Sequence, residues 1–110
     1  MSIFAILFLM RQTRIPAHLQ SVLWSSDINK LDIAKDKQYI IHQILSHGRM
    51  EDIAWLFKTY ERDHIRSVFT NIPYKNYRLK RYHFVKKYLL SISDVLNQAH
   101  YVENTPRDLG

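Results

Sequence analysis

Between Tyr74 and Tyr88, the aromatic residues Tyr74, Tyr77, Tyr82, Phe84 and Tyr88 alternate with Lys75, Arg78, Lys80, Arg81, Lys86 and Lys87. Cations hold phosphates or carboxylates, and flat rings stack on exposed bases or fill a partner's pockets, so this stretch has the chemistry of a contact surface. A plain amphipathic helix satisfies the same pattern, with Phe84 and Tyr88 in the core and the lysines in water. The two readings are equally physical, and the charge is concentrated in the same stretch. No Asp or Glu occurs between Asp63 and Asp94, where Arg66, Lys75, Arg78, Lys80, Arg81, Lys86 and Lys87 supply seven positive charges. The whole chain carries 16 Lys and Arg against 10 Asp and Glu, so everything outside that window is nearly neutral, at −1. An electrically polarised protein with one basic contact face is expected. Its contact residues are Lys75, Tyr77, Arg78, Lys80, Arg81 and Lys87.

Other constellations are weaker. Arg78 and His83 have the Arg-x-x-x-x-His spacing of helical HEPN-type RNases, in which a His moves the proton and an Arg steadies phosphate charge. On an unbroken helix the two stand about 140° apart, and His83 has no carboxylate near it in sequence to orient it. His42 and His47 are five apart, off the i, i+4 spacing of a helical metal site. No metal site, cofactor or catalytic group is therefore expected. Trp55 points about 160° away from the stripe of Ile53, Leu56, Phe57 and Tyr60. Either that helix is buried on both sides, or Trp55 protrudes as an apolar anchor for a partner.

The elements that must position these residues read as helices. Pro16 suits the first position of a short helix to about Trp24, with Leu19, Val22 and Leu23 inward. Asp32 is a candidate N-cap for a helix that runs to His47, stops at Gly48 and buries Ile40, Ile41, Ile44 and Leu45. Glu51 and Asp52 open the next helix, where carboxylates suit the dipole. Another, opened by Glu61 or Asp63, turns Ile65, Val68 and Phe69 inward and ends at Asn71 and Pro73. These two short helices could form a helix-turn-helix reader, but the second offers only His64, Arg66 and Ser67 outward and starts with acidic residues. An irregular loop, 73–79, precedes a last helix that starts near Arg81 or Tyr82 and buries Val85, Tyr88, Leu89, Ile92 and Leu96. An earlier start would place Arg78 and Arg81 on its apolar side. Residues 101–110 lack a period and are expected to fray.

Composition supports one all-α domain, a bundle of about four to five short helices over 10–100. Its 110 residues include only two Gly and three Pro, too few for a β-sandwich or a nucleotide enzyme's phosphate loops. The absence of Cys removes disulfides and thiol chemistry and suits a cytoplasmic protein. Ile3 to Met10 is an apolar run of about 12 Å as a helix, too short for a hydrocarbon core of about 30 Å. Arg11 and Arg14 follow it, where a signal peptide would place a small-residue cleavage site. Residues 1–9 read either as a short buried or edge-paired strand or, the reading preferred slightly, as an appendage before a start at Met10.

A spread pattern extends from Ile15 to about Ile92. It consists of Ile15-Pro16, Leu23-Trp24, Leu31-Asp32, Asp36-Lys37, Ile40-Ile41, Leu45, Gly48, Glu51-Asp52-Ile53, Trp55-Leu56, Tyr60 and Ile65, followed by Pro73, Lys75, Tyr77, Phe84, Val85 and Leu89. This pattern resembles a family of small bacterial helical proteins often encoded beside nucleotidyltransferase toxins of the AbiEii kind. The resemblance implies a non-enzymatic, antitoxin-like or accessory role, with a partner protein as the ligand of the basic face. Nucleic-acid binding through residues 74–88 is the alternative, and RNA cleavage by Arg78 and His83 a more distant one.

Overall fold

Ile40, Ile41, Ile44 and Leu45 are fully buried, as their spacing requires, but so are His42 and nearly so Gln43 and Ser46 on the same helix. Helix α1 (Lys37–His47) is therefore a central rod surrounded by the rest of the chain. The computed structural model describes residues 15–103. Helices α2 (Met50–Thr59) and α3 (Arg62–Asn71) follow in succession, each packed on α1. Helix α4 (Leu79–Phe84) continues into a π-helical turn, Val85–Leu89. Short 3-10 turns at Ala17–Ser21, Ile28–Lys30 and Gln98–His100 complete an all-α domain. No β-strand forms among the described residues; the β pairing there is an isolated parallel bridge between Tyr77 and Val102. No helix among them is long and apolar enough to cross a membrane. The apolar N-terminal segment, 1–9, lies outside the described residues.

Local chemistry explains the boundaries. Pro16 caps the first turn from outside, and Leu19, Val22 and Leu23 are buried as expected, although the turn is 3-10 and ends at Ser21. Asp32 caps a turn of its own instead of α1. Its carboxylate accepts from the N–H groups of Ala34 and Lys35 at 2.7 and 2.9 Å, and these bonds hold its pKa below the ordinary value. Asp36 then takes the N-cap position, and α1 starts four residues later than Asp32 would place it. At the head of α2, the Asp52 carboxylate accepts from Arg49 N–H at 2.8 Å and pairs with His18 at 3.3 Å, tying the first turn to the second helix. Ile65, Val68 and Phe69 of α3 are buried, as is Ile53 of α2.

Gly48 ends α1 for a steric reason. Its φ of −70° suits any residue, but an added Cβ would stand 2.6 Å from the Ile44 carbonyl oxygen and 3.1 Å from Asp52 Cβ. Gly48→Ala would ordinarily gain about 0.4–1 kcal/mol from a stiffer unfolded chain. The backbone clash outweighs that gain, so the variant is expected to lose about 1–3 kcal/mol in chemical denaturation. A stabilised variant would contradict this account of the α1–α2 corner.

The last helix departs most from expectation. It starts at Leu79, with Arg78 as N-cap, because the buried side of Arg81 finds partners there. From Val85 the ladder widens: Leu90 N–H donates to the Val85 carbonyl at 2.9 Å, and Ile92 N–H reaches Lys86 at 2.8 Å. Each turn then holds an extra residue, which rotates the phase of the face. Tyr88 is thereby turned out to 68% exposure, and Leu90 takes a fully buried place. Ser91 ends the element at φ 51°, well before the expected Leu96. The C-terminal segment does not fray at its start. Tyr101 and Val102 are buried, Tyr77 N–H donates to Tyr101 and Glu103 N–H to Tyr77, and Tyr101 Oη–H donates to the Phe69 carbonyl at 2.7 Å. The rest of the expected tail, 104–110, lies outside the described residues.

Candidate functional site: a basic helix face

The loop 72–78 is fastened to α1 from beneath. Ser46 Oγ–H donates to the Asn76 carbonyl at 2.6 Å, and Asn76 Nδ2–H donates to Gln43 Oε1 at 2.9 Å. Tyr77 follows these anchors into the core. Its ring is fully buried, edge-on to Phe69 and Tyr101, and its hydroxyl is 2.8 Å from His42 Nδ1. The other nitrogen, Nε2, is 2.6 Å from the Ile72 carbonyl, which can only accept. His42 is thus neutral with its proton on Nε2, and Nδ1 accepts from Tyr77. Burial pushes the His42 pKa down to about 4, and burial raises that of Tyr77 well above its ordinary value. Tyr77 is a core residue and not a contact residue: the hydrogen bond that it gives His42 would otherwise be missing from the interior.

Arg81 is withdrawn in a similar way. Its Nε–H donates to the Leu45 carbonyl at 2.6 Å, and its Nη2–H donates to the Gly48 carbonyl. These carbonyls lie at the C-terminus of α1, where helical partners run out and the dipole favours a cation. The guanidinium also stands 5.9 Å from the centre of the Phe84 ring. Its pKa is lowered by burial. The unfavourable apolar-side position of Arg81 is resolved by this capping role, and its charge is spent inside the fold.

Arg78, Lys80 and Lys87 remain exposed along α4 and its π turn, with His83 exposed between them and Lys86 half-buried. A shallow groove of about 460 Å³ is lined by His83, Lys86, Lys87, Ser91, Ile92 and Ser93. At its edge Arg62 Nη2–H donates to Ser91 Oγ at 3.1 Å, adding a cation from α3. Tyr88 stands beside Lys87, whose Nζ is 5.5 Å from the ring centre. The His18–Asp52 contact involves none of these cations, and no carboxylate pairs with them among the described residues. Such an arrangement can bind an anionic surface with both charge and an aromatic contact.

The other expected contact residues lie elsewhere. Lys75 is exposed but lines a different cleft, with Tyr74. Trp55 is half-buried against the core, while Trp24, at 58% exposure, is the tryptophan that protrudes. Trp24 follows the buried Leu23 and precedes Ser25, Ser26 and Asp27; an aromatic residue at the edge of a polar connection was the available signal. Arg78 is the N-cap of α4 and His83 lies edge-on to Tyr82 at 5.3 Å. Among the described residues, no group of three or more His, Asp and Glu could hold a metal ion.

No curated protein and no solved structure matches the chain. Residues 19–69, from the first 3-10 turn into α3, are similar to a family of unknown function (DUF6922), a match that ends before α4 and its basic face.

Proposed function

We propose that this chain is a non-enzymatic binding protein of the cytoplasm, antitoxin-like or accessory, whose α4 face engages an acidic surface of a partner protein. The observation that carries this reading is that Arg78, Lys80 and Lys87 are all exposed within ten residues of chain, with no carboxylate paired to them among the described residues. A fold that spends Arg81 internally but leaves its neighbours in water has no stabilising use for them. They serve instead for steering and for complementarity with opposite charge. Tyr88 supplies the apolar contact at the edge of the same face. The resemblance to proteins encoded beside nucleotidyltransferase toxins directs the choice of partner to that class, whose nucleotide or acceptor-RNA groove the basic face would cover.

Coexpression with the product of the neighbouring gene, followed by size-exclusion chromatography, tests this reading. Co-elution that weakens with salt is expected; two independently eluting proteins would count against it. Nucleic acid is the second reading, favoured by the Lys87–Tyr88 pair. It predicts that log affinity falls with log salt, with the slope smaller by about 0.9 for each phosphate contact removed on duplex DNA and about 0.7 on a single strand, as in Lys80→Ala or Lys87→Ala. A slope unmoved by both substitutions would exclude it.

A further inference from the structure

A second concavity, separate from the α4 groove, opens where Trp24 meets the loop after α3. It has a volume of about 330 Å³, near the lower end for small-molecule sites. Its aromatic lining is Trp24, Tyr39 and Tyr74, with Lys75 at the rim and Gln43 and Asn76 also contributing. The rings are held in place. Tyr74 lies parallel to His42 at 4.9 Å and 10°, and Trp24 leans on His47 at 4.9 Å. Tyr39 Oη accepts from Ser25 N–H at 3.1 Å. Trp24 and Tyr74 nevertheless keep 58% and 37% of their surface in water.

The amides are similarly fixed and incompletely used. Gln43 Nε2–H donates to the Val22 carbonyl at 3.0 Å, and Asn76 Nδ2–H donates to Gln43 Oε1 at 2.9 Å. A primary amide has two N–H donors and a carbonyl with two lone pairs, so each retains hydrogen-bonding capacity. Preset aromatic faces, amide groups and one lysine without an ion-pair partner among the described residues are complementary to a planar heterocycle with polar edges that carries an anion. A neutral sugar would use the rings and amides but not Lys75; inorganic phosphate would use Lys75 alone.

We infer that the Trp24–Tyr74 cleft binds a nucleobase bearing a phosphate, with the base against the rings, its edge on the Gln43–Asn76 amides and the phosphate on Lys75. The base can come from a free mononucleotide or from a single-stranded nucleic acid. This site does not depend on the α4 face, and Arg78, Lys80 and Lys87 are not among its residues.

The test uses the indole N–H resonance of Trp24 in the full chain, isolated by Trp55→Phe, since the chain has two Trp. AMP, CMP, GMP and UMP form one arm, a ten-residue oligothymidylate the second and inorganic phosphate the third. A saturable shift with mononucleotides supports the free-nucleotide source; a shift with the oligonucleotide alone supports the single strand. Lys75→Ala and Tyr74→Ala should each weaken binding by about tenfold. Lys75 is exposed, so its variant reports on binding even if loss of Tyr74 disturbs the stack on His42. Absence of a saturable shift with every nucleotide probe would overturn the assignment, as would an equal shift with phosphate alone or unchanged affinity in both variants.

Discussion

Arg81→Ala lowers the melting temperature by about 10–20 °C, whereas Arg78→Ala, Lys80→Ala and Lys87→Ala each leave it nearly unchanged. The contrast follows from where each charge is spent. Arg81 covers the carbonyls of Leu45 and Gly48 at the end of the central helix, and Leu45 lies fully inside the core. Charge-assisted hydrogen bonds contribute about 1.5–3 kcal/mol each, and a buried carbonyl left without a donor costs about 1–3 kcal/mol. Allowing for the half-exposed guanidinium, a loss of about 2–3 kcal/mol is expected, which gives that temperature change for a domain of this size. Lys at position 81 should recover less than half of it, because a single ammonium lacks the planar fork that spans two carbonyls. Thermal unfolding followed by circular dichroism measures all five variants. An Arg81→Ala protein with unchanged melting temperature would return Arg81 to the surface and remove its capping role.

Stability should also fall by about 3 kcal/mol between pH 6.5 and pH 4, and His42 is the cause. Its pKa is about 4 in the folded chain against an ordinary 6.5, so between those values the unfolded chain takes up a proton that the folded chain refuses. The unfolded state then binds more protons, and stability rises with pH across the window. The contribution of neutral His42 is complete above about pH 6.5, declines as pH falls, and is gone below about pH 4. Protonation would also convert Nδ1 from acceptor to donor, so the Tyr77 hydroxyl would have to turn and accept in place of donating. Urea denaturation at half-unit pH steps checks this, with His42→Gln as the reference. The variant is expected to show a flatter profile through the window, and identical profiles would contradict the assignment.

The helical scaffold was legible because its signals are local. Ile40, Ile41, Ile44 and Leu45 repeat at the helical period, and Glu61 and Pro73 bracket α3 with ordinary boundary chemistry. What could not be read depends on partners distant in sequence. Arg81 looked misplaced on an apolar side because its acceptors lie more than thirty residues earlier, at Leu45 and Gly48. Tyr77 reads as a surface ring in a basic run, but its hydroxyl has a buried partner in His42, which the Ile72 carbonyl holds by its other nitrogen. An α-helical wheel turns Tyr88 inward, and the π turn starting at Val85 invalidates that wheel from there on. Tyr101 sits in an aperiodic segment whose order comes from Phe69 and Tyr77. The basic run was thus visible in the sequence, but its division into core, cap and exposed face required the fold.

The central claim is that Arg78, Lys80 and Lys87 form a contact face separable from the core beneath it. Its most direct test is the triple substitution Arg78→Glu, Lys80→Glu and Lys87→Glu, coexpressed with the neighbouring gene product and analysed by size-exclusion chromatography beside the unaltered chain. The account predicts a folded protein, with a melting temperature within a few degrees of the original, that no longer co-elutes with its partner. A folded triple variant that still forms the complex at the same salt concentration would contradict it.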